Sequence, residues 1–249
     1  MFLEILGLTH KGMVRENNED SFAAFCEGVN MLPNLAVVAD GMGGHQAGEI
    51  ASRYAIEFFV DYIKDSDADV GDCLDMLTGA VAYANEKVYE ASLFDQGLFG
   101  MGTTFTAATI IEGRLYVAHV GDSRLYAITE DSIKLITTDH TYTGELQRAG
   151  IITLEEAHVH PRRHALTKAL GIDNRIEVDG YCAKLSGDEI LLLCSDGLTE
   201  MISDEEIFQI TTSGDGLMET AQTLILRANE NGGVDNITVI LAKARGGRE

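Results

Sequence analysis

Four short acidic motifs mark this sequence, three of them directly beside an apolar run. They are Glu19-Asp20, Asp40-Gly41, Ser195-Asp196-Gly197 and Asp235-Asn236. Carboxylates that gather around one point repel each other and resist desolvation, so a cation must lie among them. Hard divalent ions such as Mg²⁺ and Mn²⁺ take all-oxygen ligand sets of this kind. A single Asp-Gly pair is usually a turn, but four acidic motifs tied to strand ends predict a divalent-metal centre.

Three further features could belong to such a centre. Arg15 lies just before the first motif, and a guanidinium grips phosphate or carboxylate through paired hydrogen bonds, although a salt-bridged surface turn is the alternative. Gly41 begins a glycine-rich stretch whose backbone can approach a ligand closely, with its carbonyl free to coordinate. Asp122 could reach the acidic centre, although Gly121-Asp122 also fits a two-residue hairpin turn.

Other chemistries fit less well. The loop histidines His158, His160 and His164 have no cysteine at zinc-ligand spacing, so solvated surface histidines are the favoured interpretation. The sequence contains no Cys-x₅-Arg motif, because Glu200 stands six residues after Cys194, and no Asp-x-Asp-Gly motif. It also lacks a Gly-x-Ser-x-Gly elbow and a Gly-x-x-x-x-Gly-Lys phosphate loop. A water molecule activated by metal is the nucleophile that these exclusions leave.

Composition sets wider limits. The 249 residues are 45% hydrophobic and include two prolines, which predicts one sizeable globular domain over residues 1–249, although length alone also allows two small domains. A formal charge of −22 and the absence of a basic cluster argue against a nucleic-acid partner. No apolar run approaches the roughly 20 residues that span a bilayer, and the N-terminus reads as a strand rather than a signal peptide. Four cysteines without close pairing favour a reducing compartment, so we expect a cytoplasmic protein.

The elements that must position these residues follow from hydrophobic periodicity. Helical spacing predicts long helices over Gly48 to Lys64 and Asp69 to Leu93, and a shorter one over Gly216 to Ala228. Capping boxes at Thr153 and Ser203 predict two more short helices. Strands are predicted at the following ranges: Leu3 to Thr9, Ser21 to Phe25, Leu35 to Asp40, Thr103 to Ile111, Leu115 to Val120, Ser123 to Ile128, Ile133 to Ile136, Arg175 to Val178, Tyr181 to Leu185, Ile190 to Ser195 and Ile237 to Ala242. The strands between Thr103 and Ile136 are expected to form one antiparallel meander, and the whole pattern predicts an α+β fold with sheet buried between helices.

With these motifs in place, the sequence resembles the bacterial branch of the type-2C protein phosphatases, which are metal-dependent serine/threonine phosphatases. The resemblance covers essentially the whole chain. It is carried by Val14-Arg15-Glu16-Asn17-Asn18-Glu19-Asp20-Ser21, Val38-Ala39-Asp40-Gly41-Met42-Gly43-Gly44-His45, Gly100-Met101-Gly102-Thr103-Thr104, Val120-Gly121-Asp122-Ser123-Arg124, Thr138-Asp139-His140, Ser195-Asp196-Gly197-Leu198 and Val234-Asp235-Asn236-Ile237-Thr238-Val239. Any one of these stretches is weak, but their number, order and spacing together are very specific.

The resemblance implies a four-layer αββα fold, in which an antiparallel β-sandwich is flanked by helices on both faces. It also implies roles for individual residues. Asp40, Asp196 and Asp235 would bind one ion, Asp40 would bridge to a second ion bound by Glu19 and the Gly41 carbonyl, Asp20 would hold metal-bound water, Arg15 would bind phosphate, and Asp122 would bind a third, weaker ion. A water or hydroxide bridging two Mg²⁺ or Mn²⁺ ions would then hydrolyse the phosphoester directly. Thr138 to Gly171 would form a flap that influences substrate choice, and we call this range the flap segment.

Several points stay open at this level. Met42 stands where animal members have a histidine, so His45 is only a candidate general acid, and Thr141 replaces a common serine. The resemblance implies phosphoprotein substrates, a cognate bacterial serine/threonine kinase, a role in bacterial signalling, and a monomer without membrane or nucleic-acid partners. Alternatives are activity on phosphohistidine or small phosphoesters, or an inactive phosphoprotein-binding relative, although none of the metal-binding acids is missing. The choice between Mg²⁺ and Mn²⁺ also stays open.

Overall fold

The computed structural model describes residues 3–44, 47–67, 70–214 and 216–244. Groups of strands alternate with groups of helices along these residues. The strands are β1 (Leu3–His10), β2 (Asp20–Phe25), β3 (Leu35–Met42), β4 (Gly102–Thr103), β5 (Phe105–Ile111), β6 (Arg114–Val120), β7 (Arg124–Ile128), β8 (Ile133–Leu135), β9 (Asp179–Lys184), β10 (Ile190–Cys194) and β11 (Ile237–Ala244). The α-helices are α1 (Ala47–Asp65), α2 (Cys73–Phe94), α3 (Tyr142–Arg148), α4 (Leu154–His158), α5 (Asp196–Thr199), α6 (Asp204–Ser213) and α7 (Leu217–Glu230).

The strands form two antiparallel sheets. The first sheet has the order β1-β11-β10-β7-β8, and the second has the order β2-β3-β5-β6-β9, with β4 paired to β3. Helices α1 and α2 cover the outer face of the second sheet, and α7 packs on β1 and β11 of the first. The predicted antiparallel β-sandwich between helical layers is therefore confirmed. None of the described helices combines the length and hydropathy that crossing a bilayer requires.

Strand β3 explains why the second sheet lies between two other layers, because the apolar run of this strand is buried on both faces. Ala36 and Val38 lie in the layer between the sheets with Leu193 of β10. Val37 points the other way and belongs to the cluster that contains Phe59 of α1. Successive strand residues face opposite sides, so a strand without a polar face must lie between two other layers. The acid that follows this run, Asp40, consequently comes at the end of an inner strand.

One predicted feature of the sheets is wrong, since β5 to β8 do not form a single meander. The turn at Glu112 and Gly113 has φ angles of 50° and 74°, as a tight hairpin requires, and it joins β5 to β6 in the second sheet. Strand β7 instead pairs with β8 and β10 in the first sheet. Gly121-Asp122 therefore carries the chain from one sheet to the other. The hairpin interpretation of Asp122 is wrong for the same reason.

Two local predictions also differ from the structure. Arg175 to Val178 lies outside any strand, and its apolar residues Ile176 and Val178 are partly buried against the cluster beneath α1 and α2. Helix α3 was not predicted. Its N-cap is Thr141, whose hydroxyl accepts a hydrogen bond from the Gly144 N–H at 3.0 Å. Because serine and threonine both cap helices, the replacement of a common serine by Thr141 preserves this role.

Candidate active site

Asp20 and Asp40 face each other across two neighbouring strands. They are register partners in the antiparallel pair of β2 and β3. Asp20 is only 7% exposed, and its Oδ2 accepts hydrogen bonds from Ser195 Oγ at 2.7 Å and Thr238 Oγ1 at 2.6 Å. Its Oδ1 is buried without a hydrogen-bond partner. Two hydroxyls from the first sheet therefore fix this carboxyl group of the second sheet, and one of its oxygens is left free.

Asp196 enters from the first sheet, at the start of α5 directly after β10. Its Oδ1 is also buried and has no hydrogen-bond partner. Gly197 follows, and a side chain there would collide with the backbone carbonyl of Asn236. The glycine of this Asp-Gly pair is thus required by close packing between α5 and the segment before β11, and the pair starts a helix rather than a turn.

Asp235 lies immediately before β11 and is held by two contacts. Its Oδ1 accepts a hydrogen bond from the Asn236 N–H at 2.8 Å, and its Oδ2 pairs with Arg15 Nη2 at 2.6 Å. Arg15 is half exposed, so the guanidinium forms part of the rim of the site. The predicted phosphate-binding arginine and a predicted metal ligand therefore contact each other directly.

Backbone contacts place Glu19 beside Gly41. The Glu19 carbonyl accepts hydrogen bonds from the Gly41 N–H at 3.2 Å and from Ser52 Oγ at 2.6 Å. A side chain at Gly41 would collide with the carbonyls of Glu19 and Gly48, so only glycine fits there. Asn236 completes the arrangement, because its Oδ1 accepts a hydrogen bond from the Glu19 N–H at 2.8 Å.

Asp122 lies in the crossover between the sheets, next to hydroxyls that belong to the same framework. Thr104 Oγ1 accepts a hydrogen bond from the Asp40 N–H at 2.9 Å and lies 2.8 Å from Ser123 Oγ. Asp122 and Asp196 both line a cavity of about 660 Å³ whose other wall includes the flap segment. The crossover thus brings Asp122 to the same end of the sandwich as the other acids.

The carboxyl groups of these acids influence one another's pKa values. Burial, followed by the charges of Asp20, Asp196, Asp122 and Asp235, holds the pKa of Asp40 well above its usual range. Burial also raises the pKa of Asp20 to about 7, against the lowering effect of its two hydroxyl partners. The pKa values of Asp122 and Asp196 are raised as well, first by burial and then by neighbouring carboxylates. In the absence of a cation these groups resist ionisation.

Not all of the predicted residues come together in the same way. Among the described residues, the group of three or more His, Cys, Asp or Glu side chains whose ligand atoms all lie within 4.8 Å of one another is His164, Asp196 and Glu200, and only Asp196 belongs to the predicted set. His164 Nδ1 contacts Glu200 Oε1 and thereby links the flap segment to the end of α5. His160 instead lies against Tyr142, with ring centroids 5.7 Å apart, and does not belong to the group that contains His164. The candidate general acid His45 lies outside the described residues.

The donor set fits divalent cations. Oxygen atoms of Asp20 and Asp196 are buried with no partner, and an unpaired buried oxygen is costly unless a cation or water meets it. The surrounding acids raise one another's pKa values, which a bound divalent ion would reverse. The only arginine paired with a predicted ligand in the described residues is Arg15, and one cation does not balance the set.

Sequence reasoning missed the residues that hold the acids in place. They are Thr104, Ser123, Ser195, Asn236 and Thr238. All of them lie within the motifs that carry the family resemblance, and all are buried polar residues next to an acid. Buried hydroxyl and amide groups need partners, so their positions within or directly beside apolar strands were the available signal.

Known proteins match this chain over nearly its whole length. Residues 10–241 match the family described as "Protein phosphatase 2C". The serine/threonine phosphatase stp of Listeria innocua is 38% identical over 94% of this chain and 93% of its own length, and protein phosphatase PhpP of Streptococcus pneumoniae is 37% identical over 96% of both chains.

Solved structures extend the likeness to the fold. The serine/threonine phosphatase Stp1 of Staphylococcus aureus superposes with a TM-score of 0.92 at 34% identity, covering 99% of this chain and 96% of that one. The catalytic domain of the phosphatase PstP, crystallised with two manganese ions, gives a TM-score of 0.84 at 36% identity, covering 97% of both chains. The family resemblance predicted from the motifs is confirmed, as is the expectation of a phosphatase. The chain belongs to the protein phosphatase 2C family.

Proposed function

We propose that this chain hydrolyses phosphoserine and phosphothreonine in proteins directly, with two divalent cations, Mg²⁺ or Mn²⁺, held by its buried acids. The observation that carries the proposal is the pair of partnerless buried oxygens, Asp20 Oδ1 and Asp196 Oδ1, within a set of mutually repelling carboxyl groups. When bound, the cations supply a water nucleophile of lowered pKa and neutralise charge on the phosphoryl group.

The ligand roles follow the positions of the side chains. We assign Asp40, Asp196 and Asp235 to one cation, with Asp40 shared with a second cation that Glu19 and the Gly41 carbonyl also hold. Asp40 suits the shared position because four other acids influence its pKa. Asp20 is fixed by hydrogen bonds from Ser195 and Thr238 to its Oδ2, so its partnerless Oδ1 would be available to hold water at the centre. His45 stays a candidate proton donor to the leaving group.

Arg15 is assigned to the phosphoryl group of the substrate. It now pairs with Asp235 at 2.6 Å through one nitrogen, and half of its side chain is exposed at the mouth of the site. A bound phosphate offers the guanidinium a second, bidentate partner without moving it away from the acids. The arginine therefore contributes charge where the phosphoester arrives.

A covalent phosphocysteine route has no support in the described residues. Cys194 lies in β10 next to the site, but burial raises the pKa of its thiol to about 12. The nucleophile of cysteine chemistry is the thiolate, so this residue stays protonated at neutral pH. A protonated Cys194 is consistent with direct attack by water on the phosphoester. Rapid-quench analysis should therefore find no phosphorylated enzyme.

Asp122 is assigned to a third, weaker cation shared with Asp196. Burial and then the charge of Asp196 raise its pKa, and both residues line one cavity. Asp122→Ala should keep the two tightly bound metals and shift the Mn²⁺ activation curve to higher concentration. Superimposable activation curves for the wild type and this variant would remove Asp122 from the site.

The wider setting is also a proposal. We take residues 1–249 as one catalytic domain with the flap segment as its substrate-facing part, acting as a monomer in the cytoplasm on phosphoproteins that include a cognate serine/threonine kinase. The family and the bacterial relatives support this setting.

The direct experiment is turnover of a phosphothreonine peptide by the metal-stripped chain, with and without added Mn²⁺ or Mg²⁺. Phosphate release should appear only with metal, and chelation should abolish it reversibly. Asp131→Asn, a charge removal in the exposed turn between β7 and β8, serves as a matched control for acid substitutions in the site. Full activity without metal would contradict the proposal.

A further inference from the structure

The mouth of the candidate site is bordered by exposed apolar side chains. We call this set the apolar rim, and it consists of Met13, Val14, Val159 and Val234. Met13 and Val14 are 67% and 65% exposed, Val234 is 43% exposed and Val159 is 80% exposed. Exposed apolar groups that cluster beside a polar site typically mark a binding surface, whereas scattered ones carry no meaning.

Contacts join the members of the rim to the site. Val14 precedes Arg15 and Val234 precedes Asp235, and the Arg15–Asp235 pair holds these two segments together at 2.6 Å. The Met13 N–H also donates to the Gly233 carbonyl at 2.7 Å. The rim is therefore continuous with the groups assigned to the phosphoester.

The far side of the mouth is also apolar. Val234 and Met201 flank Gly232, and both line the 660 Å³ cavity together with Val159 of the flap segment. Cavities of roughly 300–1,000 Å³ accommodate drug-sized ligands, so this one has far more room than a phosphoryl group needs. Val159 and Val234 of the rim line this cavity together with the acids Asp122 and Asp196.

The charges around the cavity indicate which substrate segments can bind there. The cavity wall carries four acids, Asp122, Asp139, Asp196 and Glu200, and two arginines, Arg124 and Arg163, of which Arg124 already pairs with Asp139. The neighbouring segment carries the exposed Glu16, and the chain as a whole has a formal charge of −22. Acidic residues beside a phosphorylated side chain would meet this field unfavourably. Apolar residues would instead bury the methyl and thioether groups of the rim.

We propose that the apolar rim binds apolar side chains next to the phosphorylated serine or threonine, so that the preferred substrates are phosphoprotein segments with apolar rather than acidic flanks. This inference rests on the proposed function. An extended chain advances about 3.3–3.6 Å per residue, so the one or two residues on either side of the phosphoresidue reach the rim.

The test compares two phosphothreonine peptides that differ only at the two flanking positions on each side, valine and leucine in one and glutamate in the other. The kcat/KM of the wild type should be at least about tenfold higher for the apolar peptide, since one apolar group in a fitting pocket is worth about 10- to 200-fold. Val234→Thr, which keeps the side-chain shape, and Met13→Gln should each reduce that ratio several-fold.

Phe94→Gln is the matched control, because Phe94 is 91% exposed and lies at the end of α2, outside the residues that line the cavity. It should leave the ratio unchanged. Equal kcat/KM values for the two peptides in the wild type, or ratios in Val234→Thr and Met13→Gln that equal the wild-type ratio, would overturn the proposal. Metal-dependent hydrolysis of both peptides would meanwhile preserve the proposed function, whereas hydrolysis of neither peptide with Mn²⁺ present would overturn that function instead.

Discussion

The acids of the site and the flap segment above them are held in opposite ways. Asp20 is fixed by buried hydrogen bonds to Ser195 and Thr238, residues that lie 175 and 218 positions away in the sequence. The flap segment contains two short helices and carries exposed apolar residues such as Ile151 and Val159. The acids therefore belong to the most cooperative part of the fold, and the flap segment belongs to a part with little buried surface.

The flap segment is anchored mainly at its base. His140 accepts a hydrogen bond from the Gly121 N–H at 3.1 Å through Nδ1, and Asp139 forms a bidentate pair with Arg124. Farther along, the contact between His164 and Glu200 joins it to α5. The difference indicates that the groups assigned to chemistry are preorganised, at the cost of burying repelling charges, while the segment that we propose to face the substrate is held by fewer buried contacts.

The largest expected effect comes from removing a charge from the acids. Asp40→Asn and Asp196→Asn should each lower kcat by at least about a hundredfold, because each removes a ligand of the assigned cations. The same changes should stabilise the metal-free chain, since each relieves repulsion among buried carboxyl groups. Steady-state kinetics and urea unfolding measure the two effects, and Asp131→Asn should alter neither.

Arg15→Ala should act on substrate capture. We expect KM for a phosphothreonine peptide to rise by about tenfold, with a smaller fall in kcat, because the guanidinium interacts with phosphate in both the ground state and the transition state. Arg15→Lys should recover only part of the loss, since an ammonium group cannot form the paired hydrogen bonds. If KM stays at the wild-type value in both variants, Arg15 is a partner of Asp235 and nothing more.

The pH dependence of the free energy of unfolding, measured on the metal-free chain, should report the cost of burying Asp20. A pKa of about 7, raised from 3.8, means that the folded state keeps a proton which the unfolded state releases. The free energy of unfolding contributed by Asp20 is therefore fully present below about pH 4 and is lost as the pH rises through about 7, by about 1.4 kcal/mol for each unit of difference between the two pKa values.

The contribution of Asp20 to the free energy of unfolding must be separated from the contribution of His119. Burial lowers the pKa of His119 to about 4, so its contribution has the opposite sign and disappears as the pH falls below about 6.5. The difference in unfolding free energy between wild type and Asp20→Asn cancels the His119 contribution, because both proteins contain it. That difference should change with pH in metal-free protein, and saturating Mn²⁺ should flatten it. A pH-independent difference without metal would contradict the burial argument.

The smallest effect should come from the flap segment. Thr141→Ser should be nearly neutral, because the serine hydroxyl can accept the same hydrogen bond from the Gly144 N–H. Thr141→Ala should cost about 1 kcal/mol, the usual value of an N-cap, and should increase amide exchange in α3 while leaving the acids unaffected. A loss of Mn²⁺ affinity in this variant would show that the flap segment and the acids are not independent.

The sequence predicted the acids better than it predicted their supports. Asp40 and Asp196 could be predicted from the sequence because each follows an apolar run, and such a run is a local pattern. The Asp20–Ser195–Thr238 network depends on two sheets meeting, which no local pattern encodes. Asp122 shows the same limit, since a Gly-Asp turn looks the same whether the next strand pairs beside the previous one or joins the opposite sheet.

The most direct test of the account is the number of Mn²⁺ ions that the metal-stripped chain binds, measured by isothermal titration calorimetry near neutral pH. The account predicts two tightly bound ions per chain, with a third, weaker site visible at higher concentration, and proton release on binding because the buried acids give up protons. Binding of fewer than two ions in folded wild-type protein, or binding without proton release, would contradict the claim that the buried acids form a two-cation centre.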